Sequence, residues 1–500
     1  MLHVLMGHAE RKGSATALRS TDEALSYSEL VVAVSAFARE LRATDCQCVG
    51  LAMNNGINWA VADLAAMSIG VTVVPIPEFF SARQVQHVID TAGIDLMISA
   101  DENDERVADD GGWLSLPPSA RGHHLALRTV ATPAPPFAGK VTFTSGSTGE
   151  PKGVRLANAT LMSTSEAIVA ALAPLAPRRH LCMLPLATLL ENIAGLYAPL
   201  LNGTEVIVPG TDKTGLQGAS LDIERFASLL NSADADTLIL VPQLLTALVT
   251  LSELGLVKAD SFRFIAVGGG RVSRSLLDRA DTLGLPVFEG YGLSECCSVL
   301  TLNLPGQARP GSVGKPLAEA ALRIADSGEV EVRRPLMDGY VNGEPLAPGW
   351  YGTGDLGYFD ADGYLYLQGR SRNVFITAYG RNVNPEWIEA ALTQQAPIAD
   401  AVAYGEAQDH NLALLWLRYP QSDDELEALV SAVNSELPDY AQVHAFRVID
   451  TPLKPSHKTS NGRLKRKALL QEFMPLIDDH YQSSATHLPH LHKEATHHVL

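Results

Sequence analysis

The stretch Thr142-Phe-Thr-Ser-Gly-Ser-Thr-Gly-Glu-Pro-Lys-Gly-Val154 decides the fold of this chain. The apolar run ending near Thr144 predicts a strand. Ser145, Gly146, Ser147, Thr148 and Gly149 then predict a loop whose small residues let backbone N–H groups approach an anion. The stretch is not a Walker A loop. A lysine, Lys152, does stand six positions after Gly146, but Pro151 occupies the place of the second glycine and Gly153 that of Ser or Thr. The alternative is a flexible Ser/Gly linker, but linkers rarely carry a single Pro-Lys-Gly between two strand-like runs, which favours the anion-binding loop.

Upstream of this loop, residues 26–45 predict a helix, with Leu30, Val31, Val34, Phe37, Ala38 and Leu41 at helical spacing. Strand and helix then alternate: Val49 to Met53, Asn58 to Met67, Val71 to Pro75, Ala82 to Ala92, Leu96 to Ser99. That rhythm predicts a parallel sheet with covering helices. Asp101 to Asp110 and the Pro-rich Thr132 to Pro136 read as surface connections. Downstream, Asn158 is placed to cap a helix bearing Leu161, Ile168, Val169 and Leu172, and alternation resumes through Val206 to Val208, Leu238 to Val241 and Phe264 to Val267. From Gly328 the texture becomes antiparallel or barrel-like, with strands at Glu329 to Val332 and Tyr364 to Leu367 and turns at Asp338-Gly339 and Asp362-Gly363. A compact α+β segment starts near Arg372, and residues 476–500 read as a His-rich, disordered tail. There is no internal repeat.

A length of 500 residues implies more than one domain, and 46% hydrophobic residues is ordinary for a globular chain. The net charge of −18 argues against a nucleic-acid partner, and any polyanionic ligand must be met by local positive charge. Met1 to Ser20 lacks the uninterrupted apolar core of a signal peptide, and no stretch is long enough to span a bilayer, so a cytoplasmic location is expected. The cysteines, Cys46, Cys48, Cys182, Cys296 and Cys297, are odd in number and lack paired metal spacing. Cys296-Cys297 beside a glutamate suggests a reactive thiol, against the plainer reading of buried, inert cysteine. The tail histidines, His480, His487, His490, His492, His497 and His498, fit no compact ligand set.

The loop stretch closely resembles the phosphate loop of the adenylate-forming superfamily: acyl- and aryl-CoA synthetases, luciferases and the adenylation domains of peptide synthetases. Further motifs follow in the same order. Val267-Gly-Gly-Gly270 follows a strand, so its glycines let backbone pass close to a flat ligand. Glu289-Gly-Tyr-Gly-Leu-Ser-Glu295 is similar to the second nucleotide motif, which implies an aromatic near adenine, a hydroxyl near the α-phosphate and a glutamate holding Mg²⁺. Trp350-Tyr-Gly-Thr-Gly-Asp-Leu-Gly357 resembles the ribose motif and assigns Asp355 to the ribose hydroxyls. The neighbouring Asp360-Ala-Asp362-Gly363 lacks the remaining ligands of a calcium loop and reads as a hairpin turn. Gly369 to Ile376 and Gly380 to Glu389 are similar to the inter-domain hinge and the loop after it. By that likeness Arg370 contacts nucleotide, Arg372 is the pivot and Gly380 lines the thiol tunnel; Asn373 departs from the usual acidic residue.

Two further departures stand out. Leu184-Pro-Leu-Ala-Thr-Leu-Leu-Glu191 looks like the acyl-pocket entrance of fatty acyl-CoA synthetases, which usually carry His where Thr188 stands. The Phe-Asp pair that anchors an amino-acid ammonium is absent, which favours a plain carboxylic acid. Thr459 to Leu469 resembles the catalytic Gly-Lys motif, yet Arg463 occupies the lysine position; the basic run Arg463 to Lys467 also reads as a solvated face.

The resemblance therefore implies an α/β fold. It has a large N-terminal AMP-binding domain with parallel α/β sheets and a small β-barrel (1–371), a smaller mobile α+β domain (372–475) and the tail (476–500). Lys152, Ser294, Glu295 and Arg463 would be catalytic. Glu295 and Thr148 would hold Mg²⁺. Thr144, Ser145, Gly146, Ser147, Thr148, Gly149, Gly268, Gly269, Gly270, Glu289, Tyr291, Gly292, Asp355, Arg370 and Gly380 would bind ATP or the thiol. The expected reaction joins a carboxylic acid, fatty or related, to AMP and then to CoA. The alternatives are transfer to the phosphopantetheine of an acyl carrier protein, or a non-catalytic nucleotide-binding regulator.

Overall fold

Ser26 starts the first long helix: its hydroxyl accepts from the Glu29 N–H while Glu29 accepts from the Ser26 N–H, closing a capping box. Helix Tyr27–Ala43 then buries Leu30, Val34, Phe37 and Leu41. Ser81 and Gln84 repeat the device for helix Ala82–Ala92, which Gly93 ends in the left-handed conformation. Helix Ile57–Ile69 is buried around most of its circumference, as its Ala-rich sequence allows, and carries one acid inside, Asp63. The computed structural model describes residues 1–100, 112–130, 137–144, 151–217, 220–371, 373–378, 382–458 and 464–485.

The chain divides into two compact units, Met1–Ser371 and Arg372–Leu500. The first contains two large sheets. One runs, in spatial order, Gly339–Tyr340, Lys152–Ala157, Gly139–Thr144, Thr72–Pro75, Cys48–Ala52, Leu96–Ser99, His124–Leu127, Leu114–Leu116. Its four central strands are parallel and its edges antiparallel. The other sheet has nine strands, with a parallel series of Thr16–Arg19, Glu205–Ile207, Arg179–Leu181, Thr237–Leu240, Phe264–Val267 and Val287–Tyr291. The central strands are fully buried, so they read as near-continuous Val/Ile/Leu runs rather than alternating ones. The main core draws on both sheets, with Leu51, Trp59, Leu186 and Val206 in one cluster.

The antiparallel texture after Gly328 forms a four-stranded sheet, Ala321–Ile324, Glu329–Arg334, Tyr351–Phe359 and Leu365–Arg370. Asp360 to Gly363 is the hairpin turn between the last two: Asp360 Oδ1 accepts the N–H groups of Asp362 and Tyr364, and Gly363 has φ +82°. Helix Asn158–Leu172 differs from expectation in its cap. Ala157 holds the cap position, with no side-chain cap bond, and its N–H donates to Asp338 Oδ2.

The second unit is a three-stranded sheet, Ile398–Tyr404, Asn411–Leu417 and Val443–Val448, with helices Pro385–Thr393, Asp423–Asn434 and Arg466–Ala485. The last helix corrects the expected disordered tail from 476. Residues 476–485 continue it because Ile477 and His480 are buried and the Tyr481 hydroxyl donates to the carbonyls of Tyr404 and His410. His480 Nε2 lies 3.0 Å from His410 Nε2; the other tail histidines lie outside the described residues. No helix among the described residues is long and apolar enough to cross a membrane.

Candidate functional site

Strands Gly139–Thr144 and Lys152–Ala157 form an antiparallel hairpin in which Thr144 faces Lys152 across the ladder. Gly153 permits the tight packing behind it, since a Cβ there would meet Phe143, Val141 and Val341 at 2.9 Å. Lys152 is exposed, its ammonium 5.8 Å from the centre of the Tyr340 ring. Tyr340 reaches this position because Gly339–Tyr340 adds to the edge of the same sheet, opposite Val154 and Arg155. Its hydroxyl donates to Glu295 Oε1 at 2.9 Å, and the Met337 N–H donates to the Glu295 carbonyl. The hairpin cation and the motif glutamate, 143 residues apart in sequence, thus share one tyrosine.

Strands Phe264–Val267 and Val287–Tyr291 are parallel neighbours, and their carboxyl ends deliver Gly268, Gly269 and Gly270 from one and Tyr291 to Glu295 from the other. Gly269 has φ +76°, and a Cβ on Gly268 would lie 3.6 Å from the Gly290 carbonyl and 3.9 Å from Leu190 Cδ2. Gly292 has no room for a side chain: a Cβ would fall 1.6 Å from the Ser298 carbonyl oxygen. Ser294 and Glu295 sit on a single turn of 3₁₀ helix, Ser294–Cys296. Burial pushes the Glu289 carboxyl up to about 7, although the Gly311 N–H, Arg271 and Arg274 pull it down. Cys296 and Cys297 are buried with both thiols raised, Cys297 to about 12, which is the inert reading of the pair.

Asp355 lies in strand Tyr351–Phe359 opposite Arg370 in strand Leu365–Arg370. Its Oδ2 accepts from the Tyr291 hydroxyl at 2.6 Å, and its Oδ1 stands 2.8 Å from Arg370 Nε. Arg370 also donates to the Thr353 carbonyl, and Gly354, at φ +76°, passes its N–H to Glu329. Burial and the Asp355 charge both hold the Tyr291 phenol neutral. The resemblance gave Tyr291 and Asp355 separate places; here they are bonded to each other, so residues of two motifs form one hydrogen-bonded cluster around the buried Asp355.

Ser145, Gly146, Ser147, Thr148, Gly149, Arg372, Gly380 and Arg463 lie outside the described residues. The flanks of Arg463 are visible: Lys458 and Leu464 pair across a bridge, Lys458 binds Asp400 at 2.9 Å, and Arg466 binds Glu389 and the Ala403 carbonyl. Part of the basic run is therefore committed to the interior of its unit. Thr188, at the acyl-pocket motif, donates to the Pro185 carbonyl.

Sequence reading missed Tyr340 and two buried polar clusters. In one, Lys140 meets Asp63, Asn192 and Tyr197. In the other, the candidate ligand atoms of His180, Cys182 and Glu191 lie within 4.8 Å of one another. The second has metal-ligand types, but its atoms already have protein partners. His180 bonds Thr237 and Glu191, Glu191 also accepts from the Leu184 N–H, and the Cys182 thiol faces the Gly195 carbonyl. It is a closed hydrogen-bond network.

Comparison with known proteins follows the same outline. The model of the AMP-binding enzyme family matches residues 6–344, and that of the AMP-binding enzyme C-terminal domain matches residues 372–485. A long-chain-fatty-acid–CoA ligase, FadD15 of Mycobacterium bovis, is 25% identical over 85% of this chain and 86% of its own length. The 2-succinylbenzoate–CoA ligase of Bacillus subtilis is 28% identical over 77% of this chain and 76% of its own. The crystal structure of the anthranilate CoA ligase AuaEII in complex with anthranoyl-AMP superposes with a TM-score of 0.78 at 18% identity, covering 94% of this chain and 96% of that one.

Proposed function

This chain belongs to the AMP-binding enzyme family, and from that premise we propose that it activates a carboxylic acid with ATP to an acyl-AMP and passes the acyl group to CoA. The observation that carries the reading is the convergence, in one unit, of the Lys152–Tyr340–Glu295 group and the Tyr291–Asp355–Arg370 group beside the Gly268 turn. The acid is one without an ammonium group, a fatty acid first and an aryl acid next, as in the fatty-acid and 2-succinylbenzoate ligases it is similar to.

In this reading Lys152 and the loop before it hold the ATP phosphates. Glu295, fixed by the Tyr340 hydroxyl, is a hard oxygen donor of the kind Mg²⁺ takes, so the residues fit that ion, with Thr148 as a second ligand. When bound, Mg²⁺ supplies positive charge to the phosphate oxygens that would otherwise repel an incoming carboxylate. Asp355, itself anchored by Arg370, accepts from the ribose hydroxyls, and Tyr291 lies against the base. Chemistry of this kind rests mainly on positioning and charge neutralisation, so a rigid cluster is what the reaction needs. The Ser294 hydroxyl and the Arg463 guanidinium act at the α-phosphate, and Gly380 keeps the thiol path open.

The test is pyrophosphate exchange into ATP across a panel of acids, then thioester formation with CoA. Acid-dependent exchange followed by acyl-CoA is the expected result. Exchange that no acid stimulates would overturn the reading.

A further inference from the structure

Lys140 is 1% exposed, yet its ammonium is fully partnered: it donates to Asp63 Oδ1 at 2.7 Å, Asn192 Oδ1 at 2.5 Å and the Tyr197 hydroxyl at 3.1 Å. Asp63 is completed in turn, its Oδ2 accepting from Tyr197 at 2.6 Å and Asn192 at 3.1 Å. The Trp59 and Tyr197 rings lie 5.6 and 5.0 Å from the ammonium. A buried ion pair of this sort is a weak source of stability, because desolvation offsets the attraction, whereas losing one partner is costly; its best-attested use is to fix register.

The four residues come from three elements. Lys140 lies on strand Gly139–Thr144, which leads into the candidate phosphate loop, and Asp63 on helix Ile57–Ile69. Asn192 and Tyr197 lie on Glu191–Tyr197, a seven-residue π-helix. Such helices are rare and concentrate at functional sites. Its first residue, next to Asn192, is pinned to the other large sheet: Glu191 Oε1 lies 3.1 Å from His180 Nε2, and His180 Nδ1 lies 3.0 Å from Thr237 Oγ1. Gly195 makes that contact possible, since a Cβ there would lie 2.0 Å from Glu191 Oε1. Leu190, the residue before the π-helix, packs toward the Gly268 turn.

We propose that the π-helix Glu191–Tyr197 is the strut that holds the phosphate-loop strand in register with the Gly268 turn, and that Lys140, Asp63 and Tyr197 are positioning residues for adenylation. The proposal rests on the function given above, in which the loop after this strand holds phosphate, and on Leu190 lying in the stretch that resembles an acyl-pocket entrance. Binding of each substrate is local, but attack of one on the other requires their mutual register, and a misplacement of about 1 Å can cost roughly a hundredfold in rate.

Two variants test it, the charge-free Lys140→Met/Asp63→Asn and the conservative Tyr197→Phe. The acid is the one that wild type uses fastest among the fatty acids from butanoate to hexadecanoate, benzoate and 2-succinylbenzoate. We expect kcat for pyrophosphate exchange to fall about ten- to a hundredfold in the double variant and about three- to tenfold in Tyr197→Phe, with either KM moving less than about threefold. Thioester formation from supplied acyl-AMP, which follows pyrophosphate loss, stays within about twofold of wild type. A merely structural role would depress both half-reactions together, and that result, or an unchanged kcat, overturns the proposal.

Hydrogen exchange gives a readout that needs no acid. The double variant should exchange at least about tenfold faster in both Gly139–Thr144 and Glu191–Tyr197, as loss of a shared tether requires. Faster exchange confined to the strand overturns the strut. Wild type that exchanges normally but forms no acyl-AMP with any acid would refute the proposed function instead.

Discussion

Tyr340→Phe separates the two things Tyr340 does. The ring, which faces Lys152 at 5.8 Å, is kept; the hydroxyl, which donates to Glu295 Oε1 at 2.9 Å, is lost. Both side chains are only half-buried, so the bond is worth the low end for a donor to a charged group, about 1.5 kcal/mol. If Glu295 holds Mg²⁺, freeing its carboxylate to rotate raises the Mg²⁺ needed for half-maximal pyrophosphate exchange by about tenfold, since 1.4 kcal/mol is a factor of ten. The KM for the acid should not change. Tyr351, which lies beside Tyr340, serves as a neighbouring control, since Tyr351→Phe retains both partners of the Glu295 bond. The assay is exchange rate against Mg²⁺ concentration at saturating ATP and acid. An unchanged Mg²⁺ dependence in a folded Tyr340→Phe protein would refute the reasoning, by showing that Glu295 either needs no orientation or does not hold the metal.

Lys152→Ala should lower acid-dependent exchange by about ten- to a thousandfold, the scale of losing one electrostatic donor, measured in the same assay. Gly380→Leu should leave acyl-AMP formation near wild type and slow thioester formation, read by supplying acyl-AMP and CoA; equal loss in both steps would assign the loop to the fold. Arg463→Ala should slow adenylation by about ten- to a thousandfold and spare the thioester step, with Arg463→Lys retaining the first rate. Glu289 gives a pH prediction. Its carboxyl is raised from the ordinary value to about 7 in the folded protein, so the fold binds a proton that the unfolded chain releases, and stability is lost as pH rises from about 4.5 to about 7. Glu289→Gln stays neutral, so its melting temperature relative to wild type should be higher at pH 8 than at pH 5; equal differences at the two values would contradict the shift.

The α/β frame was legible because its signals are local. The runs at Val49, Leu96 and Phe264 are long enough and apolar enough to be central strands, and Ser26 and Ser81 carry their own capping partners three residues on. The string motifs were legible too, since each is contiguous. What stayed hidden needs distant partners. Lys140 reads as one polar residue in a strand until Asp63, 77 positions earlier, neutralises it. The π-helix is invisible because a shift to i→i+5 bonding leaves the apolar pattern of Ile193, Leu196 and Tyr197 unremarkable. Residues 476–485 looked like tail because Asp478, Asp479 and His480 dilute the pattern, while the helix depends on Ile477 and Tyr481 meeting a sheet from earlier in the chain. Tyr340 carried no signal of its own: only sheet pairing brings it to Glu295.

The measurement that bears most directly on this protein is pyrophosphate exchange into ATP by the wild-type chain, with Mg²⁺, in the presence and absence of each acid of the panel. Carboxylate activation predicts exchange that is negligible without acid, rises with at least one fatty or aryl acid, and falls at least about tenfold when Lys152 is replaced by Ala. Exchange absent with every acid, or present at the same rate without any, would contradict it.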